Sequence, residues 1–345
     1  MSEEEQAEGD DAEDAQSAVS QTYLTDEGVR ETHALADGIL SETEQVVLGK
    51  RPVLEMVMVG VMAGGNILFE DNPGLAKTLL ANTFARALGC KFKRVQFTPD
   101  LLPADITGIY IFDRKANDFA FRPGPLFCNI LLADEINRAP PKTQAALLEA
   151  MQEQQVTLEG ETHQLPKPFI TIATQNPIES EGTYPLPEAQ LDRFMMKLSV
   201  GYPGRPIERA IIVKRMQRMQ DEHVIRALAS PEKLLQMQAS LEKVKVDEKI
   251  IEYIVEIVSR TREDPRVSVG SSPRGTQALF KLIRALAVLN GRDYVVPDDV
   301  KRLAIHALRH RIILKPEPRI KGVQPEEIIS QILQEVEVPT TQGFA

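Results

Sequence analysis

The sequence predicts an α/β core built on a parallel sheet, followed by a small all-α domain. Continuous apolar runs at residues 130–133 and 169–174 are typical of strands buried on both faces of a parallel sheet. A strand, a tight loop and a helix follow one another over residues 66–89. Beyond the Pro- and Gly-rich segment 201–206 the apolar spacing is helical, and no stretch alternates as a half-buried strand does.

The core is predicted to contain five parallel strands flanked by helices. The strands are residues 66–69, 93–97, 130–133, 169–174 and 195–200. Segment 98–125 is rich in Pro, Gly and Asp and is predicted to be an insertion made of a hairpin and loops. A second hairpin is predicted to turn at Gly160 and Glu161. The predicted helices are residues 24–40, 42–63, 77–88, 141–154, 188–194, 207–220, 231–241, 247–262, 273–290, 297–310 and 325–336.

Composition narrows the functional classes. The net charge is −10, but residues 1–20 contain eight acidic and no basic residues, which leaves 42 acidic against 40 basic side chains in the rest. This acidic tail is predicted to be disordered. The near-neutral remainder, with 5% aromatic residues and no Trp, gives no electrostatic footprint for nucleic acid.

The sequence also predicts a cytoplasmic protein without a membrane span. No stretch approaches 18 uninterrupted apolar residues, and the acidic N-terminus does not resemble a signal peptide. The two cysteines, Cys90 and Cys128, lie beside apolar segments and are interpreted as small buried hydrophobic residues. Unpaired cysteines fit a reducing compartment.

The segment 66–78 has the layout of a phosphate-binding loop. The pattern G-x-x-x-x-G-K-[ST] is matched except at Asp71 and Ala76, where glycines are expected. Asp tolerates positive φ, so the turn remains possible. Unpaired N–H groups at the helix start favour an anion. Lys77 adds a positive charge, and the hydroxyl of Thr78 can bind Mg²⁺. An ordinary strand–turn–helix is the alternative for this loop taken alone.

Polar side chains follow two of the predicted buried strands. Asp134 and Glu135 end the strand at 130–133, and Asn176 follows the strand at 169–174. In open α/β sheets, ligands bind at the carboxyl ends of the strands. The two carboxylates are therefore predicted to lie at a ligand site beside the loop that contains Lys77, and an acidic loop after a strand is the alternative.

Several motifs in a fixed order resemble the AAA+ ATPases and, within them, the MoxR group. The resemblance covers roughly residues 46–310, and Ala76 is usual for this group. The motifs are residues 73–78 (PGLAKT), 123–125 (PGP), 134–138 (DEINR), 173–177 (ATQNP), 187–194 (PEAQLDRF) and 272–275 (SPRG).

The resemblance implies a division of the chain. An AAA+ core with a five-stranded parallel sheet would span residues 21–202, after the tail at 1–20. A helical lid would span residues 203–321, and a C-terminal helix with a frayed end residues 322–345. The insertion 98–125 belongs to the core.

The resemblance implies ATP or ADP and Mg²⁺ as ligands, and a role for each motif. Lys77 would neutralise the β- and γ-phosphates, and Thr78 and Asp134 would hold Mg²⁺. Glu135 would activate the attacking water, and Asn176 would polarise it. The remaining loop contacts are Asn72, Pro73, Gly74, Leu75, Ala76 and Leu79.

Two arginines and an adenine pocket complete the implied site. Arg193 would act from the neighbouring subunit on the transferring phosphoryl group, and Arg274 would reach back from the helical lid to the same phosphate. Val47 and Gly49 would line the adenine pocket. The alternatives are that Asn176 only forms a turn, that Arg193 makes a local ion pair, and that Arg274 contacts the backbone at a helix start.

The function implied is ATP-driven, chaperone-like remodelling or maturation of partner proteins, including insertion of a metal or cofactor. The assembly would be a ring homo-oligomer, expected to be a hexamer, and the client a protein such as one with a von Willebrand factor A domain. Two alternatives stay open, a nucleic-acid motor and a nucleotide-sensing scaffold with weak hydrolysis. The carboxylate of Glu135 argues against the scaffold, and the neutral body argues against the motor.

Overall fold

The computed structural model describes residues 23–176, 182–220 and 222–340. The predicted disordered tail at 1–20 lies outside them. Among the helices of the described residues, none combines the length and the apolar character needed to cross a bilayer.

Five strands form one parallel sheet in the spatial order β2–β5–β8–β1–β9, as predicted. The strands of this sheet are β1 (Ile67–Glu70), β2 (Phe92–Gln96), β5 (Ile130–Asp134), β8 (Ile170–Gln175) and β9 (Met196–Leu198). Three small antiparallel pairs accompany it: β3 (Gly108–Asp113) with β4 (Asp118–Pro123), β6 (Gln155–Leu158) with β7 (Glu161–Gln164), and β10 (Val267–Val269) with β11 (Ile313–Leu314).

Helices cover the sheet and make up most of the C-terminal region. The helices of the described residues are α1 (Asp26–Glu44), α2 (Arg51–Met62), α3 (Lys77–Ala87), α4 (Pro103–Thr107), α5 (Pro141–Glu153), α6 (Glu188–Leu191), α7 (Arg205–Arg218), α8 (Pro231–Ser240), α9 (Glu248–Glu263), α10 (Pro273–Leu289), α11 (Pro297–Leu308), α12 (Pro316–Ile320) and α13 (Pro325–Glu335).

The sheet separates two apolar clusters because successive side chains of a strand point to opposite faces. Ile67 and Phe69 join the larger cluster, whereas Leu68 joins the smaller one with α5. The larger cluster continues through α1, α2 and α10 into the C-terminal helices. The sheet and the C-terminal helices therefore share one continuous core.

The structure differs from the predicted elements in four places. The second helix begins at Arg51 rather than at 42, because residues 45–50 form a turn after α1. The C-terminal region contains the pair β10–β11, whose strands are too short to show an alternating pattern. Two short helices, α4 and α12, were not predicted. Both predicted hairpins are confirmed.

Charged groups of the C-terminal region hold the segment that enters β9. Arg311 has 7% of its surface exposed, and its Nε donates to Asp192 Oδ1 at 2.7 Å. The same guanidinium donates to the carbonyl of Phe194 at 2.7 Å. His310 Nε2 lies 3.0 Å from that carbonyl oxygen, and burial holds the pKa of His310 well below its usual range. The chain just before β9 is thereby fixed to the C-terminal helices.

Replacing Arg311 should destabilise the fold strongly. Arg311→Met keeps most of the volume but removes the guanidinium that donates to the Asp192 carboxylate and to the backbone carbonyls of Asp192, Phe194, Met195 and Ala307. Breaking one half of a buried pair costs about 3–5 kcal/mol, which urea unfolding would measure. Arg319→Met, at an exposed arginine of α12, is the matched control and should change the free energy of unfolding by less than about 0.5 kcal/mol. Equal effects of the two changes on the free energy of unfolding would show that Arg311 does not hold the segment before β9.

Candidate active site

The loop between β1 and α3 turns at two left-handed residues. Gly74 has φ 80° and Ala76 has φ 59°. Ala76 is the N-cap residue of α3, and no side chain caps this helix end. Its first N–H groups therefore stay available to an anion. Asp71, which the sequence suggested as a positive-φ position, is not among the left-handed residues of the described chain.

Lys77 is buried at the start of α3, with 9% of its surface exposed. Its Nζ donates to the carbonyl of Asp71 at 2.9 Å and to that of Asn72 at 3.3 Å. Burial lowers the pKa of Lys77, and the carboxylates of Asp71, Asp134 and Glu135 partly offset this effect. The ammonium group is held in a dry setting in which a phosphate would be a strong partner.

The first cavity, of about 420 Å³, lies at the carboxyl edge of the sheet. It joins the loop to Asp134, Glu135 and Asn176, as predicted. Its lining residues are Pro73, Gly74, Leu75, Ala76, Lys77, Thr78, Leu79, Arg94, Gln96, Asp134, Glu135, Thr174, Gln175 and Asn176. Of the loop residues predicted to contact nucleotide, Asn72 lies one residue before this lining and donates to Tyr202 Oη at 3.4 Å.

Thr174 fixes the backbone and side chain of the acidic pair. Its hydroxyl donates to Asp134 Oδ1 at 2.6 Å and accepts from the N–H of Glu135 at 2.8 Å. Glu135 itself is left-handed, with φ 56°. The hydroxyl of Thr174 thus joins the side chain of Asp134 to the backbone of Glu135 at the end of β5.

Two residues of β2 contact these carboxylates, and sequence reasoning missed both. Arg94 Nη2 donates to Asp134 Oδ2 at 2.7 Å, and Gln96 Nε2 donates to Glu135 Oε2 at 2.7 Å. Arg138 also lies 3.0 Å from Glu135 Oε2. The sequence does show that Arg94 and Gln96 are polar residues at alternate positions of β2. Their role could not be predicted from this pattern, because it depends on the strand register that places Gln96 beside Asp134.

Asn176 sits at the end of β8 with 6% of its surface exposed. Its backbone carbonyl accepts from Asn137 Nδ2 at 3.4 Å. The structure therefore brings Asn176 into the first cavity beside Glu135. Pro177, the next residue of the motif, lies outside the described residues.

A second cavity of about 380 Å³ adjoins the first and shares four loop residues with it, Gly74, Leu75, Ala76 and Leu79. Its other walls are Gln45, Val46, Val47, Leu48, Lys50, Val200, Gly201, Pro203, Ile211, Lys214, Arg215, Arg218 and His223. Val47 lines it as predicted. Gly49 has φ 65° and packs against Ile207, whose Cδ1 would lie 2.7 Å from an added Cβ, so its expected contact with a base is not supported by the geometry.

Arg193 and Arg274 meet in a third cavity, of about 260 Å³. Residues 64–66, which precede β1, line it, so it lies at the amino edge of the sheet. The structure therefore places Arg274 beside Arg193 and away from the first cavity of its own chain. Arg274 Nη1 lies 3.9 Å from Asp192 Oδ2, and Arg193 Nη1 donates to the carbonyl of Leu148 at 2.9 Å.

Comparison with known proteins agrees with this geometry. Residues 66–196, from β1 to β9, match the ATPase family associated with various cellular activities (AAA), and residues 259–332 match the AAA lid domain. An uncharacterized Bacillus subtilis protein, YeaC, is 46% identical over 90% of this chain and 97% of its own. The Mycobacterium tuberculosis chaperone MoxR1 is 42% identical over 90% of this chain and 83% of its own. This chain belongs to the MoxR-type AAA+ ATPases.

A solved structure supports the same assignment. A Cytophaga hutchinsonii protein assigned as an ATPase superposes with a TM-score of 0.85 at 40% identity, over 90% of this chain and 97% of that one. The MoxR-type chain described here is thus an ATPase with an α/β core and a helical lid.

Nucleotide binding should depend on the protonation of Lys77. Lys77→Ala should abolish ATP binding because the loop loses its buried charge. In the wild type, the affinity should fall with rising pH earlier than an exposed lysine would allow, because burial lowers the pKa of this amine. Calorimetric Kd values from about pH 7 to about pH 10 would show it. Lys77→Arg is the matched control, since its guanidinium stays charged over this range. If the ATP affinity of Lys77→Arg fell with rising pH in the same way, the decline could not be due to deprotonation of Lys77.

Proposed function

We propose that this MoxR-type ATPase hydrolyses ATP at sites shared between neighbouring subunits of a ring, and uses the energy to remodel partner proteins. The observation that carries the proposal is the separation of the functional groups. Lys77, Asp134 and Glu135 lie at the carboxyl edge of the sheet, whereas Arg193 lies at the amino edge.

The distance between the edges favours a neighbour as the partner of Arg193. β8 has six residues, which at about 3.3 Å per residue span about 20 Å. An arginine side chain cannot cover that distance around a packed sheet. Arg193 and Arg274, which line one cavity, would therefore face the nucleotide of the next subunit together.

The first cavity fits a nucleoside triphosphate with Mg²⁺. The uncapped start of α3 and the buried Lys77 would bind the phosphates. Thr78 and Asp134 would hold the metal. Asp134 Oδ1 accepts from Thr174 and keeps a second lone pair for it, whereas Oδ2 accepts from both Nε and Nη2 of Arg94. No group of three or more His, Cys, Asp or Glu in the described segments could hold a metal by itself, so phosphate oxygens and water would complete the shell. Bound Mg²⁺ would neutralise charge on those phosphate oxygens.

Glu135 and Asn176 would act on the attacking water. The carboxylate of Glu135, which accepts from Gln96 and Arg138, would orient the water and accept its proton. The amide of Asn176 would hold the water or the γ-phosphate. The second cavity, continuous with the first through Gly74–Ala76, would take the adenine beside Val47.

The cellular role follows from the relatives. The similarity to the chaperone MoxR1 and to MoxR of Paracoccus denitrificans, 29% identical over 87% of this chain, supports a chaperone-like role with protein clients. We propose a hexameric ring whose client carries a von Willebrand factor A domain and receives a metal or cofactor. The unpaired, buried Cys90 and Cys128 support a cytoplasmic location.

Mixing two inactive variants tests the shared site. Glu135→Gln and Arg193→Ala should each bind ATP yet hydrolyse it very slowly, since an arginine supplied in trans contributes about 10³–10⁵ in rate. When subunits exchange, an Arg193→Ala chain can lie beside a Glu135→Gln chain that supplies the intact arginine. Steady-state phosphate release should then recover.

The control is a mixture of Glu135→Gln with Lys77→Ala. Both defects lie in the same subunit's share of the site, so no arrangement rebuilds a complete one and no activity should return. Exchange would be confirmed by energy transfer between labelled subunits. Absence of recovery in the first mixture, with exchange established, would refute a trans arginine.

A further inference from the structure

Asp71 occupies a loop position at which the phosphate-loop pattern expects glycine, and its side chain is buried with 8% of the residue surface exposed. Its carboxylate does not point at Lys77 as a simple counter-ion. Instead it accepts hydrogen bonds from the segment that leaves β9. Ser199 Oγ donates to Oδ1 at 2.6 Å, the N–H of Gly201 donates to Oδ1 at 3.4 Å, and the N–H of Val200 donates to Oδ2.

Lys50 binds the same segment through its carbonyl groups. Its Nζ donates to the carbonyl oxygens of Val200 and Gly201, each at 2.8 Å, and to that of Tyr202 at 3.1 Å. The carboxylate of Asp71 thus accepts from the N–H groups of this segment, and the ammonium of Lys50 donates to its carbonyls. Segment 199–202 is held from both sides by side chains of opposite charge.

These contacts join three of the chain segments that line the second cavity. The turn 45–50, the loop 74–76 and the segment 200–203 all line it. Lys50 ties the turn to the segment, and Asp71 ties the start of the loop to the same segment. The backbone carbonyl of Asp71 also accepts from Lys77 Nζ at 2.9 Å, so one residue touches both the phosphate-binding lysine and the far wall of the second cavity.

We infer that Asp71 and Lys50 are positioning residues that preform the base-binding cavity and so make the site depend on a nucleobase as well as on phosphate. This inference rests on the proposed function, because it presumes that phosphates bind at Lys77 and the base in the second cavity. The inference also makes a prediction that the proposed function does not make. Loss of the clamp formed by Asp71 and Lys50 should spare ligands that have phosphates and no base.

The test compares Mg–ADP with Mg–tripolyphosphate, which lacks base and ribose, by isothermal titration calorimetry. Asp71→Ala and Lys50→Met should each weaken Mg–ADP binding about tenfold to a hundredfold, the effect of losing charged hydrogen bonds. Binding of Mg–tripolyphosphate should change by less than about threefold. Asp71→Asn keeps one oxygen acceptor and should lie between the wild type and Asp71→Ala.

Three further variants test the inference independently. The double variant should lose less ADP affinity than the product of the two single losses, because both side chains hold the same segment. Ser199→Ala removes one of the donors to Asp71 and should have a small effect. Asp105→Asn is the matched control, since its carboxylate also accepts a backbone N–H, from Leu102 at 2.8 Å, but lies outside the second cavity. This change should leave both affinities at the wild-type value.

Each outcome of these measurements either supports or overturns the inference. Equal losses for both ligands in Asp71→Ala, Asp71→Asn and Lys50→Met would overturn the inference, because the residues would then act on the phosphate loop or on folding in general. Unchanged ADP affinity in all three would overturn it as well. Failure of the wild-type protein to bind Mg–ADP would refute the proposed function itself, together with the inference that depends on it.

Discussion

The parallel pairing of the five strands in the main sheet determines where the candidate functional groups lie. Parallel strands place every carboxyl end at one edge of the sheet, so the segments that follow β1, β5 and β8 meet there and form the first cavity. The segments that precede β1 and β9 meet at the opposite edge, where Arg193 and Arg274 lie. Under the proposed function, one chain carries two halves of a site, and an assembly of copies would bring them together.

Buried charges connect each half to the rest of the fold. At the carboxyl edge, Asp71 and Lys50 hold the segment after β9, and the backbone of Asp71 receives Lys77. At the amino edge, Arg311 of the lid region binds Asp192 and the carbonyl of Phe194, on either side of Arg193. A movement of the lid relative to the sheet would thus reposition Arg193 directly. β9 lies between these two sets of contacts, so the loop with Asp71 and the lid region hold opposite ends of the same strand.

Much of the fold could be predicted from the sequence because its signals are local. The apolar runs of β5 and β8, the glycine-rich turns and the proline-initiated helices each carry their own information. The loop with Lys77 and the pair Asp134–Glu135 could also be placed, since both follow buried strands. Arg94 and Gln96 were missed because their role depends on the register of β2 beside β5. The place of Arg274 at the amino edge could not be predicted, because motif order along the chain does not fix which edge a helix start reaches. The packing of Gly49 against Ile207 could not be predicted either, because tertiary contacts set it.

The most direct test of the shared site is a structure of the assembled Glu135→Gln variant with Mg–ATP, determined by electron cryo-microscopy. The account predicts that each bound γ-phosphate lies about 3 Å from the guanidinium of Arg193 of the adjacent subunit, at ordinary charged hydrogen-bond distance. Lys77 and Asp134 of the nucleotide's own chain should occupy the other side. An assembled, nucleotide-loaded complex in which Arg193 still bonds only to the Leu148 carbonyl, with no arginine of a neighbour at the phosphate, would contradict it.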